Sequence, residues 1–443
     1  MSRSQDVVFD FSAVRGRHVL IALSGGADST ALACLLAEAR DSLSLTLSAA
    51  HLDHGIRRDS DQDARFCEAL CKRLDIPFHQ ARMDVPALVG QTHEGLETAA
   101  RRERYAWLRQ IKTRVHADVI ALAHHMDDQA ETVLMHLLRG AGPAGIGGMA
   151  DLSGDLYRPL LGVRKQVLVD YLSRRGIPWR EDVTNAVADT PRNALRLHVM
   201  PELEQSYPQA VAAIARYARL AREESDYVGL QADLWLKGRL REGPFGRYLS
   251  LEGDRPTALL RRALRELIGD DALSEDVAAL EALCLQARGR ICVSGGQRVE
   301  RGHRGLYFLR EDLPHPVASP LSLTGDTRLE GLCRITARPD APTPCRDDPM
   351  CQVLRRDALK GAVVRTRRSG DRIRPLGAGD KLLSDYLTDR KVDRPVRDCL
   401  ALVAVDERVM WVCGVGIAQE AALRGGADAV RLACRYDAPM ILQ

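Results

Sequence analysis

Two hydrophobic patterns alternate through the first two hundred residues of the chain. Short apolar runs with the length of buried strands occur at residues 18–23, 43–51, 77–85 and 119–123. The segments between them repeat their apolar residues at a helical period, at residues 30–39, 61–74, 94–112 and 127–138. Regular alternation of strand and helix predicts an α/β fold, in which a parallel sheet is flanked by helices.

The pattern changes after this first domain, which we expect to span residues 1–205. Residues 206–312 are predicted to be mainly helical and to end in a hairpin with glycines 295–296 at its turn. Residues 313–350 hold seven prolines, which predict an irregular linker between separate cores. Short strands and loops then predict a small α+β domain at residues 351–443.

Composition restricts the classes of protein to which the chain could belong. Its 443 residues are too many for one hydrophobic core. The net charge is only +3, so a nucleic-acid surface would require local clustering of Lys and Arg. We expect a cytoplasmic protein, because no apolar run approaches the roughly 20 residues that span a bilayer and no signal peptide is indicated. The eleven cysteines form no C-x-x-C pair, which favours free thiols over a metal site.

The first candidate site is the segment SGGADS at residues 24–29, between the first strand and the first helix. Glycines let the backbone turn sharply and approach a ligand, and the N–H groups at a helix start bind anions. Asp28 would repel a phosphate group unless it binds Mg²⁺ carried by a nucleotide. The Walker lysine is missing, which excludes a P-loop NTPase. An ordinary glycine-capped turn is the alternative interpretation.

Polar clusters also follow the second and fourth strands, at the same edge of the predicted sheet. The sequence HLDHGIR at residues 51–57 places two imidazoles, a carboxylate and a guanidinium on one predicted loop. Asp128 and Glu131 lie three residues apart on one helix face, where two carboxylates can hold an ammonium group. A helix N-terminus rich in acids, favoured by the helix dipole, is the alternative for this pair.

Arginines form two further candidate sites. Arg101 and Arg104 share a helix face beside Tyr105, and their planar forks suit phosphate, although a solvated helix face has the same pattern. Arg192 and Arg196 precede an apolar helix, where RNA contact and a capped loop are equally compatible with the sequence.

A basic segment near the C-terminus predicts an RNA partner. Residues 365–397 carry ten basic and five acidic residues. Clustered Lys and Arg provide affinity for a nucleic-acid backbone without reading bases, whereas a solvated surface is the alternative. The candidate RNA-binding residues in this segment are Arg368, Arg374, Lys381, Lys391 and Arg397.

These motifs resemble a known family. The loop at 24–29 resembles the signature of the PP-loop superfamily of N-type ATP pyrophosphatases, and the whole set resembles the tRNA(Ile)-lysidine synthases within it. The other matching motifs are HLDHGIR at 51–57, LETAARRERY at 96–105, AHHMDDQAETVLMHLLRGAG at 123–142, RPLL at 158–161, TN and RNALR within 184–196, RSGDRIRPLG at 368–377 and KLLSDYLTDRKVDRPVRD at 381–398. Thr184 and Asp393 depart from the family's usual serine and proline.

The resemblance implies a two-step reaction that uses ATP and Mg²⁺. The wobble cytidine of an isoleucine tRNA with a CAU anticodon is adenylated at its C2 oxygen, and the ε-amine of free L-lysine then displaces AMP to form lysidine. The domain at 1–205 would be catalytic, and the domains at 206–312 and 351–443 would contact tRNA. Either a monomer or a homodimer is compatible with this sequence.

The resemblance also assigns roles to residues of this chain. Asp28 would bind Mg²⁺, and His124 or His51 would assist removal of the proton from lysine. The implied sets are Asp28, Arg101, His124 and Asp128 for catalysis, Ser24, Gly25, Gly26, Ala27, Asp28, Ser29, His51 and Arg101 for ATP, Asp128 and Glu131 for lysine, and Arg192, Arg196, Arg368, Arg374, Lys381, Lys391 and Arg397 for tRNA.

Three alternatives stay open at this point. A tRNA thiolase of the same superfamily would share the ATP loop but usually needs paired cysteines. A GMP or NAD synthetase would lack a basic C-terminal domain such as residues 365–397. A non-catalytic tRNA-binding protein would tolerate a degenerate loop, whereas the serines, glycines and aspartate at 24–29 are all present.

Overall fold

A computed structural model describes residues 9–53, 60–83, 96–181, 190–269, 273–313, 316–339, 348–423 and 428–440 of the chain. Its contacts divide the chain into two compact units, Met1–Asp226 and Tyr227–Gln443. None of the described helices combines the length and the apolar character that crossing a membrane requires.

The first unit is built on a six-stranded sheet. Its strand order is β3-β2-β1-β4-β6-β5, and every neighbouring pair is parallel except the antiparallel hairpin of β5 and β6. The strands are β1 (His18–Ala22), β2 (Thr46–Asp53), β3 (Phe78–Arg82), β4 (Val119–Ala121), β5 (Leu152–Ser153) and β6 (Leu156–Tyr157). This arrangement confirms the predicted parallel sheet.

Helices cover both faces of this sheet. Val19 and Ile21 of β1 belong to one hydrophobic cluster, whereas Leu20 between them belongs to a second cluster with Trp107 and Leu108. Because successive strand residues point to opposite faces, β1 must be apolar throughout. The helices are α1 (Ala27–Leu43), α2 (Ser60–Leu74), α3 (Leu96–Val115), α4 (Met126–Leu138), α5 (Pro143–Ile146), α6 (Lys165–Arg174), α7 (Pro191–Ala194), α8 (Met200–Ser206) and α9 (Ala210–Leu236), together with the 3₁₀ turn Ser12–Val14 and the π-helical turn Leu195–Val199.

The glycine-rich segment 140–148 is more ordered than its composition predicts. Five glycines and one proline predict a mobile loop, but the segment contains α5 and is held by side chains. His136 Nδ1 lies 2.6 Å from the Gly145 carbonyl oxygen, and Arg222 donates to the carbonyls of Gly147 and Gly148. Gly148 has a φ of +60°, and a Cβ there would lie 2.7 Å from Gln129 Oε1. The segment is therefore not wholly irregular, in contrast to what its composition predicts, because it contains a short helix and side chains satisfy several of its backbone carbonyls.

The second unit begins with helices and a five-stranded antiparallel sheet of order β7-β8-β11-β10-β9. The predicted hairpin is present as β9 and β10, while the sequence pattern did not predict the three other strands. The elements are the end of α9, then α10 (Thr257–Ile268), α11 (Ser274–Leu285), β7 (Leu240–Gly243), β8 (Gly246–Ser250), β9 (Gly289–Cys292), β10 (Arg298–Arg301), β11 (Gly305–Leu309) and the 3₁₀ turn Ser294–Gly296.

Two further sheets complete the second unit. One has the order β12-β16-β19-β20-β17-β18, with β21 paired to β20, and the other has the order β13-β14-β22-β15. Their elements are β12 (Ser319–Pro320), β13 (Asp326–Leu329), β14 (Cys333–Pro339), β15 (Cys351–Arg355), β16 (Val363–Arg365), β17 (Arg372–Ile373), β18 (Lys381–Leu382), β19 (Leu402–Val405), β20 (Arg408–Val412), β21 (Gly416–Ile417), β22 (Ala429–Tyr436), α12 (Leu383–Asp389), α13 (Arg394–Arg397) and the 3₁₀ turn Asp357–Leu359.

The interpretation of residues 313–350 as an irregular linker needs correction. Strands β12, β13 and β14 lie inside this segment, and β14 pairs with β22 over seven residues. Phe245 and Tyr307 of the preceding sheet belong to the same hydrophobic cluster as Trp411. Proline did not prevent strand formation here, since Pro320 and Pro339 lie at strand ends. The domain limits at 205, 312 and 350 stay predictions.

A buried ion pair anchors the sheet that contains β16. Arg365 and Asp371 are only 2% and 3% exposed, and Arg365 donates two hydrogen bonds of 2.8 and 2.7 Å to the Asp371 carboxylate. Although Arg365 belongs to the basic segment 365–397, its guanidinium is buried and neutralised and does not contribute to an RNA-binding surface.

We predict that Asp371→Ala destabilises the protein by about 3–5 kcal/mol, because it leaves a buried guanidinium without its counter-ion. Asp389→Ala is the matched control, since Asp389 pairs with Lys381 at 2.8 Å but is 61% exposed in its side chain, and should cost at most about 1 kcal/mol. Urea unfolding of both variants measures the difference, and equal losses would contradict this account.

Candidate functional site

The loop at residues 24–29 is held in a fixed conformation between β1 and α1. The hydroxyls of Ser24 and Ser29 lie 3.0 Å apart, and Ser29 Oγ accepts from the Ser24 N–H at 3.2 Å. Gly25 has a φ of +88°, and a Cβ there would lie 3.3 Å from Cys67 Sγ. Glycine is therefore required at this turn on two grounds, its backbone conformation and its close approach to α2.

Asp28 presents a carboxylate oxygen with no hydrogen-bond partner among the described residues. This atom, Oδ1, is buried, while Oδ2 lies 3.6 Å from His125 Nε2. A buried carboxylate oxygen is costly unless a donor or a cation satisfies it. The atom fits a hard cation such as Mg²⁺. Because no group of three potential ligands occurs in the described residues, nucleotide phosphates and water would have to complete the coordination.

His51 lies inside β2 and not on the loop that the sequence predicts. Its side chain is buried, and Nδ1 lies 2.9 Å from the Leu23 carbonyl oxygen and 3.6 Å from Cys67 Sγ. The strand continues to Asp53, two residues beyond its predicted end. His54 and Arg57 of the same motif lie outside the described residues.

His125, which sequence reasoning did not select, joins the loop at residues 24–29 to helix α4. The imidazole Nδ1 of His125 accepts from the backbone N–H of Asp128 at 3.3 Å, and the backbone N–H of His125 donates to Asp128 Oδ2 at 3.1 Å. His125 Nε2 lies 3.4 Å from Asp128 Oδ2 as well as 3.6 Å from Asp28 Oδ2. The available signal was the capping-box spacing, with a polar residue three positions before an acid.

The two histidines have opposite electrostatic surroundings. Burial lowers the pKa of His125, but the carboxylates of Asp28 and Asp128 outweigh burial, so the pKa is raised. Burial lowers the pKa of His124 to about 4, and its Nδ1 is buried without a partner among the described residues. His124 is therefore a neutral imidazole near pH 7, able to accept a proton or a hydrogen bond.

Asp128 and Glu131 form a buried network with Arg192 and Arg196. Arg192 donates to Glu131 Oε2 at 2.9 Å and to Asp128 Oδ1 at 3.1 Å. Arg196 donates to Glu131 Oε1 at 2.6 Å and to Asp128 Oδ1 at 2.9 Å. Glu131 is only 2% exposed, which excludes a solvated helix start as the whole explanation of these acids.

The network brings together residues that the sequence assigned to different ligands. The predicted lysine-binding carboxylates bind the two arginines predicted to contact tRNA. Arg192 follows Thr190, whose hydroxyl caps α7 by accepting from the Asn193 N–H, and the π-helical turn Leu195–Val199 contains Arg196. Such turns are common at functional sites. Thr184 and Asn185 lie outside the described residues.

Arg101 is exposed on α3, and its guanidinium carbon lies 5.4 Å from the centre of the Tyr105 ring. Arg104 lies 5.7 Å from the same ring, so the predicted grouping of these side chains is confirmed. Arg101 has no ion pair with a carboxylate among the described residues. Its role in binding phosphate stays a prediction.

The predicted RNA-binding residues of the second unit differ in their surroundings. Arg368, Arg374 and Lys391 are exposed, whereas Lys381 pairs with Asp389 at 2.8 Å. Arg397 is half-buried and donates to the Val392 carbonyl at 2.9 Å. The first three side chains therefore have the greatest freedom to contact a phosphate group.

Two models of known domains match parts of this chain, and a solved structure resembles about half of it. A model of the PP-loop domain matches residues 3–203, and a model of the TilS substrate C-terminal domain matches residues 362–434. A solved U34-tRNA thiolase from Methanococcus maripaludis, with its [4Fe-4S] cluster, is similar over 48% of this chain and 75% of that chain, at 19% identity and a TM-score of 0.41.

Several curated relatives are named tRNA(Ile)-lysidine synthase. The relative from Symbiobacterium thermophilum is 34% identical over 90% of both chains, and that from Geobacter sulfurreducens is 33% identical over 94% of this chain and 92% of its own. The relative from Thermus thermophilus is 39% identical over 70% of this chain and 60% of its own. Because the identity extends across both units, this chain belongs to the tRNA(Ile)-lysidine synthase family.

Proposed function

We propose that this protein ligates free L-lysine to C2 of the wobble cytidine in the isoleucine tRNA with a CAU anticodon. The observation that carries the proposal is the bridge formed by His125, whose Nε2 lies between the Asp28 and Asp128 carboxylates. The loop that would bind ATP and the carboxylates that would bind an ammonium group are therefore neighbours. A ligase needs this arrangement, because the activated carbon and the amine must meet.

The first step activates the base. The C2 oxygen of the cytidine attacks the α-phosphorus of ATP, a new P–O bond forms, and the bond to pyrophosphate breaks. The N–H groups at the start of α1 would hold the phosphates, and Arg101 would neutralise their charge. Asp28 would hold Mg²⁺, which supplies positive charge to the leaving pyrophosphate.

The second step consumes the lysine. Its ε-nitrogen attacks C2, a C–N bond forms, the C2–O bond breaks, and AMP leaves with the electron pair. Asp128 and Glu131 would attract the ammonium group before it reacts. In the described structure the carboxylate oxygens already accept hydrogen bonds from Arg192 and Arg196. Lysine binding would therefore replace an arginine guanidinium by an ammonium group of equal charge.

Lysine must also lose a proton, because its unperturbed pKa is about 10.4 and only the neutral amine is a nucleophile. That proton would pass to solvent, and His124, which its depressed pKa of about 4 keeps neutral, would accept the second proton from the adduct nitrogen. Such a weak base is suited to deprotonating the adduct nitrogen, because this nitrogen becomes more acidic than the free ammonium as the C–N bond forms.

The tRNA would also contact the second unit. Arg368, Arg374 and Lys391 are exposed, and they lie in or beside the match to the C-terminal family domain at 362–434. They would add affinity for the RNA backbone without selecting the base.

The thiolase alternative fits this chain less well. Cys67 and Cys71 are the nearest cysteine pair in the sequence, but both thiols are buried, and burial raises the pKa of each to about 12. Thiols with such pKa values stay protonated at neutral pH and are poor carriers of sulfur.

Asp28→Asn should abolish the release of AMP and pyrophosphate while leaving the affinity for tRNA nearly unchanged, because the residue would act through the metal. AMP release and tRNA binding are measured on the same preparation. An equal loss of tRNA binding would show that Asp28 instead maintains the fold of the site.

Asp128→Asn and Glu131→Gln should raise the KM for lysine about ten- to a hundred-fold, as expected for the loss of one charge-assisted hydrogen bond. Adenylation of the tRNA should survive, because this step does not use lysine. Adenylated tRNA and lysidine are followed separately.

Asp127→Asn is the matched control, since this neighbouring carboxylate pairs with Arg164 at 3.0 Å and lies outside the four-residue network. Its lysine KM should stay normal. If adenylation fails in the Asp128 and Glu131 variants while the lysine KM is unchanged, the two carboxylates serve the fold or the metal instead.

A further inference from the structure

Arg158, immediately after β6, is a buried cation without a carboxylate partner among the described residues. It is 7% exposed. Its Nη1 donates to the Ala150 carbonyl at 3.0 Å, and its Nε is buried without an acceptor in the described structure. Buried charges in proteins are normally paired, because removal from water costs several kcal/mol per ion. The positive charge of the Arg158 guanidinium could therefore be neutralised by a bound ligand.

The surroundings of Arg158 increase its positive potential. The Tyr105 hydroxyl lies beside its guanidinium, and the same Tyr105 ring packs against Arg101. Burial lowers the pKa of Arg158, the neighbouring Tyr105 hydroxyl partly opposes this effect, and the charges of Arg101 and Arg222 lower the pKa further. Two more cations thus act on a guanidinium that already lacks an anion, so the site favours an anionic ligand.

The geometry of the sheet separates this site from the ATP loop. Residues 24–29 follow β1, whereas Arg158 follows β6, and β4 lies between these strands. With neighbouring strands about 4.8 Å apart, the two strand ends are roughly 10 Å from each other. His124 follows the intervening strand β4 and also senses the charge of Arg158. An anion bound at Arg158 would thus lie on the far side of β4 from the loop at residues 24–29.

We propose that Arg158 binds a backbone phosphate of the tRNA substrate and so positions the nucleotide that is adenylated. This inference rests on the proposed function for the identity of the RNA. A guanidinium can donate two parallel hydrogen bonds to a phosphate, and a phosphate would neutralise the buried charge. RNA supplies such a group next to each base, whereas the nucleotide's phosphates have the N–H groups of the ATP loop.

The test compares Arg158→Met with the wild-type protein. Affinity for a transcript of the CAU isoleucine tRNA is measured by fluorescence anisotropy over a series of KCl concentrations. We expect affinity to fall about ten- to a hundred-fold, and the slope of log affinity against log salt to decrease by about one. The melting temperature of the free variant should be unchanged or raised, because methionine removes an unpaired buried charge.

Two further variants sharpen the result. Arg158→Lys keeps the charge but loses the planar fork, so it should bind tRNA with intermediate affinity and an unchanged salt slope. Arg40→Met is the control, since Arg40 lies in the last turn of α1, away from the loop at residues 24–29, and donates to the Leu74 carbonyl at 2.7 Å. Its tRNA affinity should equal that of the wild type.

Three outcomes would overturn the inference. Unchanged tRNA affinity with a lower melting temperature would make Arg158 a structural residue. Normal tRNA affinity with a raised KM for ATP would assign the site to the nucleotide's phosphates. An unaltered salt slope in Arg158→Met would exclude a phosphate contact. Failure of the wild type to form lysidine would refute the proposed function, whereas the binding measurements would still decide the role of Arg158.

Discussion

The active-site region of this protein depends on the electrostatic pairing of two buried carboxylates with two arginines. Asp128 and Glu131 lie on α4, and Arg192 and Arg196 lie on a later segment of the chain. The two carboxylates are buried and the two arginines are partly exposed, and burial of the carboxylates is compensated only while they keep these partners. The network therefore fixes α4 against the segment that follows residue 190.

His125 connects this network to the chemistry of ATP. Its ring caps α4 and simultaneously approaches Asp28 at the start of α1. The loop, the imidazole and the carboxylates are thus positioned by the ends of β1 and β4, two adjacent strands of a parallel sheet. Ligand sites at this edge of α/β sheets are general, and here the edge would carry an activating step and an amine-binding step together.

Sequence patterns predicted the first unit well, because buried parallel strands and amphipathic helices have distinct hydrophobic periods. They failed where tertiary contacts override local composition. Glycines 140–148 predict an irregular loop, yet Arg222 binds the carbonyls of Gly147 and Gly148 and Gln129 binds the adjacent Met149, through contacts that no local pattern reveals. The prolines of 313–350 concealed β14, whose partner β22 is about a hundred residues away in the sequence. At the candidate site, residue types and spacing selected Asp28, Asp128 and Glu131 as candidates, but the pairing of the last two with Arg192 and Arg196 appears only in the folded chain.

The most direct test of this account follows the atoms of lysine. The protein is incubated with ATP, a CAU isoleucine tRNA transcript and lysine that carries heavy nitrogen at its ε position, and the digested nucleosides are analysed by mass spectrometry. The account predicts that the wobble cytidine is converted to a lysine-bearing nucleoside that retains the heavy nitrogen, with one AMP released for each. AMP release without a labelled nucleoside, or a nucleoside that has gained sulfur instead, would contradict it.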